Sequence, residues 1–240
     1  MPASTGIGAG IARLFALEGA QCVLVGRNSE ALQSVAQSLA IKFNNKDTAN
    51  EIASDRDINK HDFRIGDVGK RNFWEAIVKD VGDIDILVNA AGVTQYSPLF
   101  ATKPELIEEV LRTNLQGTIW GCQIVGKKML RKRGGCIINV ASLLGLKGGK
   151  GSTAYAARLT RALAAEMGPL NIRVNVIVPG YIETDMTLAM TSEARAQALG
   201  AIPLKRFGGV QEVADAAIFL ATNKYASNCV LNLDGGLSAI

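Results

Sequence analysis

Short apolar runs recur along this chain and alternate with longer stretches in which apolar residues return every three or four positions. The runs are Cys22–Val25, Phe63–Ile65, Ile84–Val88, Cys136–Val140, Val174–Val178 and Cys229–Leu233. The stretches with helical period are Ile11–Glu18, Glu30–Ala40, Phe73–Val81, Pro104–Arg131, Tyr155–Gly168 and Val210–Ala221. Strands buried on both faces need near-continuous apolar runs, because neither face meets water. Strand, helix and strand repeated in this order predict right-handed βαβ units. The expected fold class is therefore α/β, a doubly wound parallel sheet in three layers, α/β/α. The polar stretch from Asn44 to His61 interrupts the alternation without ending it, so residues 1–240 are expected to form one domain.

Composition adds to this picture. Hydrophobic residues make up 48% of the 240 and aromatic residues only 5%, so a large aliphatic core is expected. The net charge of +4 is mild. The densest basic run, Lys127, Lys128, Arg131, Lys132 and Arg133, reads as a solvated helix end or as a landing patch for an acidic partner. No aromatic residues interleave with it, which argues against nucleic acid. Cys22, Cys122, Cys136 and Cys229 have no CxxC spacing and read as small buried hydrophobes in a reducing compartment. The single His61 gives no metal signature. No apolar run is long enough to span a bilayer and no targeting signal is visible, so a cytoplasmic or mitochondrial location is expected.

Candidate chemistry lies between the elements. Gly6-Ile7-Gly8 opens the first helix, where glycine lets the backbone approach a pyrophosphate and the helix N-terminus favours its charge. Ser4, Gly6, Ile7 and Gly8 are the expected contacts there. The next strand ends in Gly26-Arg27. An acidic residue at this point would take a ribose 2′-hydroxyl, whereas Arg27 suits a 2′-phosphate, so NADP(H) is favoured over NAD(H). Asp67 and Val68, at the end of the third run, are placed to touch the adenine. Asn89-Ala90-Ala91-Gly92 ends the fourth run with small residues that let the backbone lie against the cofactor. Ser142 precedes Tyr155 in a glycine-rich context, and together they look like the proton-donating half of a carbonyl-reducing site. A cation one helical turn after Tyr155 would complete that site, and the residue there is Leu159.

These pieces together resemble a classical short-chain dehydrogenase/reductase with a Rossmann-like fold. The matching residues are Gly6-Ile7-Gly8, Asn89-Ala90-Ala91-Gly92, Asn114, Ser142, Tyr155, Asn171 to Asn175, Pro179-Gly180, Thr184 and Asp234-Gly235-Gly236. Within the family, the stretch Ile202 to Gly208 and the Asp234-Gly235-Gly236 ending are similar to 3-oxoacyl-[acyl-carrier-protein] reductases and related carbonyl reductases. The resemblance implies that Tyr155 donates a proton to the carbonyl oxygen, that Ser142 holds that oxygen, and that Asn114 anchors a water of the proton relay. It implies that the backbone after Pro179-Gly180, with Ile182 and Thr184, closes over the nicotinamide. It also implies that Arg173, Arg131 and Arg133 receive an acidic carrier protein, and that the chain forms tetramers. Another carbonyl oxidoreductase of the same family and a catalytically impaired subunit remain alternatives.

The chain departs from the family pattern in two places. The family has another glycine four positions before Gly6, and an apolar strand before that; here the position is Pro2. The first strand is expected to be missing, leaving Cys22–Val25 and Ile84–Val88 facing an open slot. Burying four or five aliphatic side chains contributes roughly 6–15 kcal/mol, which rivals the whole stability of an ordinary domain. The family also carries a Lys four residues after the tyrosine, then a small apolar stretch, and about six such residues are missing around Arg158-Leu159. Six helical residues span about 9 Å and leave a face turned by about 120°. Without the ammonium, a tyrosine of ordinary pKa near 10 loses the charge that favours its ionised form. The shortened helix also weakens the expected tetramer.

Overall fold

The computed structural model describes residues 6–40, 61–94, 99–143 and 155–239. Its strands are β1 (Val23–Gly26), β2 (Asp62–Ile65), β3 (Ile86–Asn89), β4 (Gly135–Val140), β5 (Ile172–Pro179) and β6 (Val230–Leu233). Each apolar run of the sequence is one of these strands, with small shifts at the ends. The helices are α1 (Gly6–Leu17), α2 (Ser29–Ala40), α3 (Arg71–Asp80), α4 (Pro104–Val110), α5 (Gly117–Lys132), α6 (Tyr155–Met167), α7 (Asp185–Leu188), α8 (Ser192–Ala201) and α9 (Val210–Thr222). No described helix is long and apolar enough to cross a membrane.

Every ladder is parallel. Alternation along β4 sends Cys136 and Ile138 to one face and Ile137 to the other. On the first face α1 and α9 supply Ile11, Phe15, Val213, Ala217 and Leu220. On the second, α3, α5 and α6 supply Trp74, Ile77, Val125, Met129, Ala164 and Met167. This is the three-layer α/β/α arrangement, with β5 at its heart: every residue of that strand except Arg173 is buried. The approach of α1 to α9 depends on Gly10, where a Cβ would sit 2.0 Å from Val210 Cγ1.

The strands fall into two sheets, β1-β2 and β3-β4-β5-β6. Among the described residues β1 and β3 share no ladder, so each makes main-chain pairs on one side only. Val23, Val25, Ile86 and Val88 are half-buried, where the inner residues of β4 are fully buried. Val25 packs into the α3/α5 side of the core, and Cys22, Ile86 and Val88 pack into the α1/α9 side. Side chains and not backbone therefore join the sheets. The two strands expected to lose main-chain partners on one side, β1 and β3, share no ladder among the described residues.

The continuous helix expected over Pro104–Arg131 is three pieces: α4, a π-turn at Leu111–Gln116, and α5. The apolar spacing hides the break, because a wider turn rotates the helix face without interrupting it. Helices α7 and α8 have no counterpart among the predicted elements.

Candidate active site

The carboxyl ends of β1, β2 and β3 surround a small, shallow cleft open to solvent. Its lining includes Arg27, Asp67, Val68 and Gly92, all expected from the sequence, together with Gly26, Gly66, Ala91, Val93 and Thr113. Asp67 is held in place: its Oδ1 accepts the Gly69 amide at 2.9 Å, and its Oδ2 lies 3.3 Å from Arg112 Nε. Arg27 Nη1 donates to Glu109 Oε1 at 2.8 Å. Thr113 is buried, and its hydroxyl has no hydrogen-bond partner in the structure. An orphaned hydroxyl and an arginine at a strand end, both in one cleft lining, fit a polar, anionic nucleotide. Neither Thr113 nor Glu109 was visible in the sequence, since both sit in a polar helical stretch with no motif.

Gly6, Ile7 and Gly8 form the first turn of α1 and are not in the cleft's lining. Gly6 has φ of 59°, a left-handed backbone that glycine adopts without strain. Ile7 packs into the α1/α9 core and Gly8 is buried. Ser4 lies outside the described residues.

Asn89 turns its side chain inward instead of toward the cleft. Its Nδ2 donates to Asn139 Oδ1 at 2.9 Å and approaches Cys122 Sγ at 3.4 Å. Asn139 Nδ2 in turn donates to Thr160 Oγ1 at 2.9 Å. This buried chain ties the end of β3 to β4 and to α6, the helix that begins at Tyr155. The backbone of Ala90 to Gly92 remains at the strand end, with Ala91 and not Ala90 lining the cleft. Asn114, on the π-turn, spends its amide on one neighbour: Oδ1 accepts the Val93 amide at 2.8 Å and Nδ2 donates to the Val93 carbonyl at 2.9 Å. These two bonds clamp the turn after β3.

Ser142 follows β4 directly. The amides on either side of it, of Ala141 and Leu143, donate to Ile177 and Pro179 of β5 at 2.8 and 2.9 Å. Tyr155 opens α6, and its side chain lies outside the described residues. Leu159, one turn on, is half-buried in the same helix. Pro179 ends β5. Gly180 is held by the Leu233 carbonyl at 2.9 Å and lies so close to Asp234 that a Cβ would sit 2.9 Å from its Cα. Ile182 is buried, and its carbonyl accepts the Thr187 hydroxyl at 2.7 Å, which itself accepts the Thr184 amide at 2.9 Å. Thr94 Oγ1 donates to Met186 Sδ at 2.9 Å, joining the turn after β3 to α7. Ser142, Gly180, Thr184 and the cleft thus all lie along the carboxyl edge of parallel strands, where ligands bind in sheets of this kind.

Arg173, Arg131 and Arg133, the arginines expected to receive a carrier, do not line the cleft. Arg173 donates from Nη1 to the Leu220 and Ala226 carbonyls at 2.5 and 2.9 Å, and from Nη2 to Ala221 at 2.6 Å. It closes the C-terminal end of α9, whose last carbonyls lack helical partners. Arg131 and Arg133 are exposed at the end of α5, just before β4 begins. A six-residue strand is about 20 Å long, so they stand at the far edge of the sheet from Ser142. The stretch Ile202 to Gly208 packs on the chain's ending: Leu204 N donates to the Gly235 carbonyl at 3.1 Å, and Ile202 and Pro203 abut Gly235 and Gly236.

Burial pushes the Cys22 thiol up to about 11 and the Cys122 thiol to about 12, and raises Cys136 as well. These three are packing residues, not nucleophiles.

Fold and site define a doubly wound α/β protein of the dinucleotide-binding class. Residues 3–238 match the family described as Enoyl-(Acyl carrier protein) reductase. The 3-oxoacyl-[acyl-carrier-protein] reductase FabG of Chlamydia muridarum is 40% identical, with 98% of this chain and 94% of that protein covered. Carbonyl reductase family member 4 of Danio rerio is 39% identical over 99% of this chain and 95% of that one. The solved 3-oxoacyl-[acyl-carrier protein] reductase of Brucella melitensis superposes with a TM-score of 0.87 at 25% identity, covering 98% of this chain and 88% of the other. The chain belongs to the short-chain dehydrogenase/reductase family, whose members are oxidoreductases that use a nicotinamide cofactor.

Proposed function

We propose that the chain is one reductase domain that reduces a 3-oxoacyl thioester, carried on acyl carrier protein, to the 3-hydroxyacyl form with NADPH, as a step in fatty acid synthesis. The observation that carries this reading is the gathering of Arg27, Asp67, Val68 and Gly92 around one cleft, with Ser142 farther along the same carboxyl edge. The names of the relatives from Chlamydia muridarum and Brucella melitensis support the substrate class.

In this reading Arg27 pairs with the 2′-phosphate, Asp67, Val68 and the Thr113 hydroxyl meet the adenosine, and the first turn of α1 with Ser4 meets the pyrophosphate. The backbone of Ala90 to Gly92 and the segment from Pro179 through Ile182 to Thr184 enclose the nicotinamide end. A dihydronicotinamide held there would supply the hydride that the carbonyl carbon accepts. Ser142 Oγ hydrogen-bonds the carbonyl oxygen, and Tyr155 Oη delivers the proton that turns the developing alkoxide into the hydroxyl. The Asn139–Thr160 bond seats α6, and with it Tyr155, against the strand that presents Ser142. With Leu159 at the position one turn on, the tyrosine is reprotonated from solvent. Loss of a positioned acid–base group typically lowers rate by about 10²–10⁴-fold.

Two other readings have their own support. The Danio rerio relative favours a reductase of small carbonyls, and Leu159 favours a subunit that binds nucleotide with little turnover. One experiment separates the three. NADPH oxidation by the purified chain is followed with a 3-oxoacyl thioester and with a small quinone, alongside NADPH binding by fluorescence. Turnover of the thioester above the rate without protein supports the main reading, even where it lies about 10²–10⁴-fold below an ordinary kcat. Turnover confined to the quinone overturns its substrate. Binding without turnover of either overturns catalysis.

A further inference from the structure

The π-turn contributes Thr113 to the cleft, and two ion pairs tie the α4 and π-turn segment to the lining. Arg27 and Asp67 lie in the lining, while Glu109 and Arg112 reach them from that segment, at 2.8 Å and 3.3 Å respectively. These four charges sum to zero. Arg27 is the group assigned above to a 2′-phosphate, yet its guanidinium already rests on a carboxylate. A carboxylate and a phosphate monoester present the same kind of oxygen pair to an arginine fork and compete for it. The Arg27 side chain is 50% exposed and that of Glu109 32%, so the pair opens at small cost.

We propose that Glu109 is a specificity-determining residue: it occupies Arg27 until a 2′-phosphate displaces it, and so sets how strongly the cleft prefers a 2′-phosphorylated adenosine to a plain one. The inference rests on the NADP(H) reading. An adenosine without the 2′-phosphate leaves the Arg27–Glu109 pair intact and gains nothing from Arg27. One that carries the phosphate must break the pair and then sits near a displaced carboxylate. Glu109 therefore lowers the affinity for the phosphorylated ligand alone. The ratio between the two ligands falls by the equilibrium constant of the internal pair, about two- to five-fold for an exposed pair.

The test is calorimetric titration of the chain with 2′,5′-ADP and with 5′-AMP, which needs no turnover. Glu109→Gln is expected to bind 2′,5′-ADP about two- to five-fold tighter, with 5′-AMP unchanged and the gain larger at low salt. Arg27→Gln is expected to lose the preference for 2′,5′-ADP, and adding Glu109→Gln to it is expected to recover nothing. Unchanged or weaker 2′,5′-ADP binding by Glu109→Gln overturns the proposal, as does a gain that persists without Arg27. If Arg27→Gln keeps the wild-type preference, or the wild type has none, the NADP(H) reading itself falls. A lost preference in Arg27→Gln with no effect of Glu109→Gln sinks the Glu109 assignment alone.

Discussion

Arg173 and Arg27 are both arginines at strand ends, and the sequence offers no way to tell their tasks apart. The structure separates them by what lies within reach. Arg173 meets the bare carbonyls at the end of α9 and becomes a structural cap, while Arg27 meets a cleft and one exchangeable carboxylate. Charge type was legible; the partner was not, because both partners come from more than forty positions away. The cofactor-end residues were legible for a different reason. Turns at the ends of parallel strands must be small or polar to admit a ligand, and that leaves a local mark in the sequence. Leu159 belongs to this scale too. It stands one turn after Tyr155 on the same face, half-buried, where the family has a lysine. Leu159→Lys is expected to raise kcat for the 3-oxoacyl thioester at least about tenfold with little change in KM, measured at pH 7. Equal kcat in both proteins would mean that the shortened helix, not the missing ammonium, limits the rate. A second residue-level outcome concerns pH. The Arg206 fork and the Gly209 amide hold the Glu212 carboxyl down at about 2, against an ordinary 4.5. A folded-state value below the unfolded one stabilises the fold above pH 4.5, and the benefit is lost as pH falls toward 2. Wild type is therefore expected to melt above Glu212→Gln at pH 6, with the gap closing between pH 4.5 and 2. A gap of constant size across that range would contradict the assignment.

Helices and strands were readable wherever burial imposed a period. The strands emerged from the sequence almost intact, because burial on both faces allows hardly any polar residue within them. The π-turn did not, since Leu111 to Gln116 keeps the apolar spacing of a helix while gaining a residue per turn. Its effect is local and functional: it carries Asn114 onto the backbone of Val93 and Thr113 into the cleft wall. Helices α7 and α8 escaped notice because they are short and pack on loops more than on the sheet. The strand pairings carry the sharpest element-scale expectation. β4 is laddered on both sides, β1 and β3 on one. Amide hydrogen exchange in β4 and β5 is expected to be at least about a hundredfold slower than in β1 and β3. Equal protection across all four strands would mean that β1 and β3 are paired on both sides in solution.

At the scale of the whole molecule, the two parallel sheets are held together by side chains, with no ladder between β1 and β3 among the described residues. The chain is therefore expected to unfold below about 45 °C, the low end for ordinary domains. One element keeps the parts in register. Ile11 and Phe15 of α1 sit in the core shared with β4, β5 and α9, while Ala9, Ala12 and Ala16 of the same helix sit in the core shared with β1 and α2. A single amphipathic rod thus serves two hydrophobic interiors, and cooperativity between them has to pass largely along it. Heat absorbed on melting is expected to come in two overlapping steps, with a calorimetric enthalpy larger than the van't Hoff value. The first to melt is the lobe of β1, β2 and α2, which also bears Arg27. On warming, the molecule would then lose its grip on the nucleotide before it loses the strand that presents Ser142.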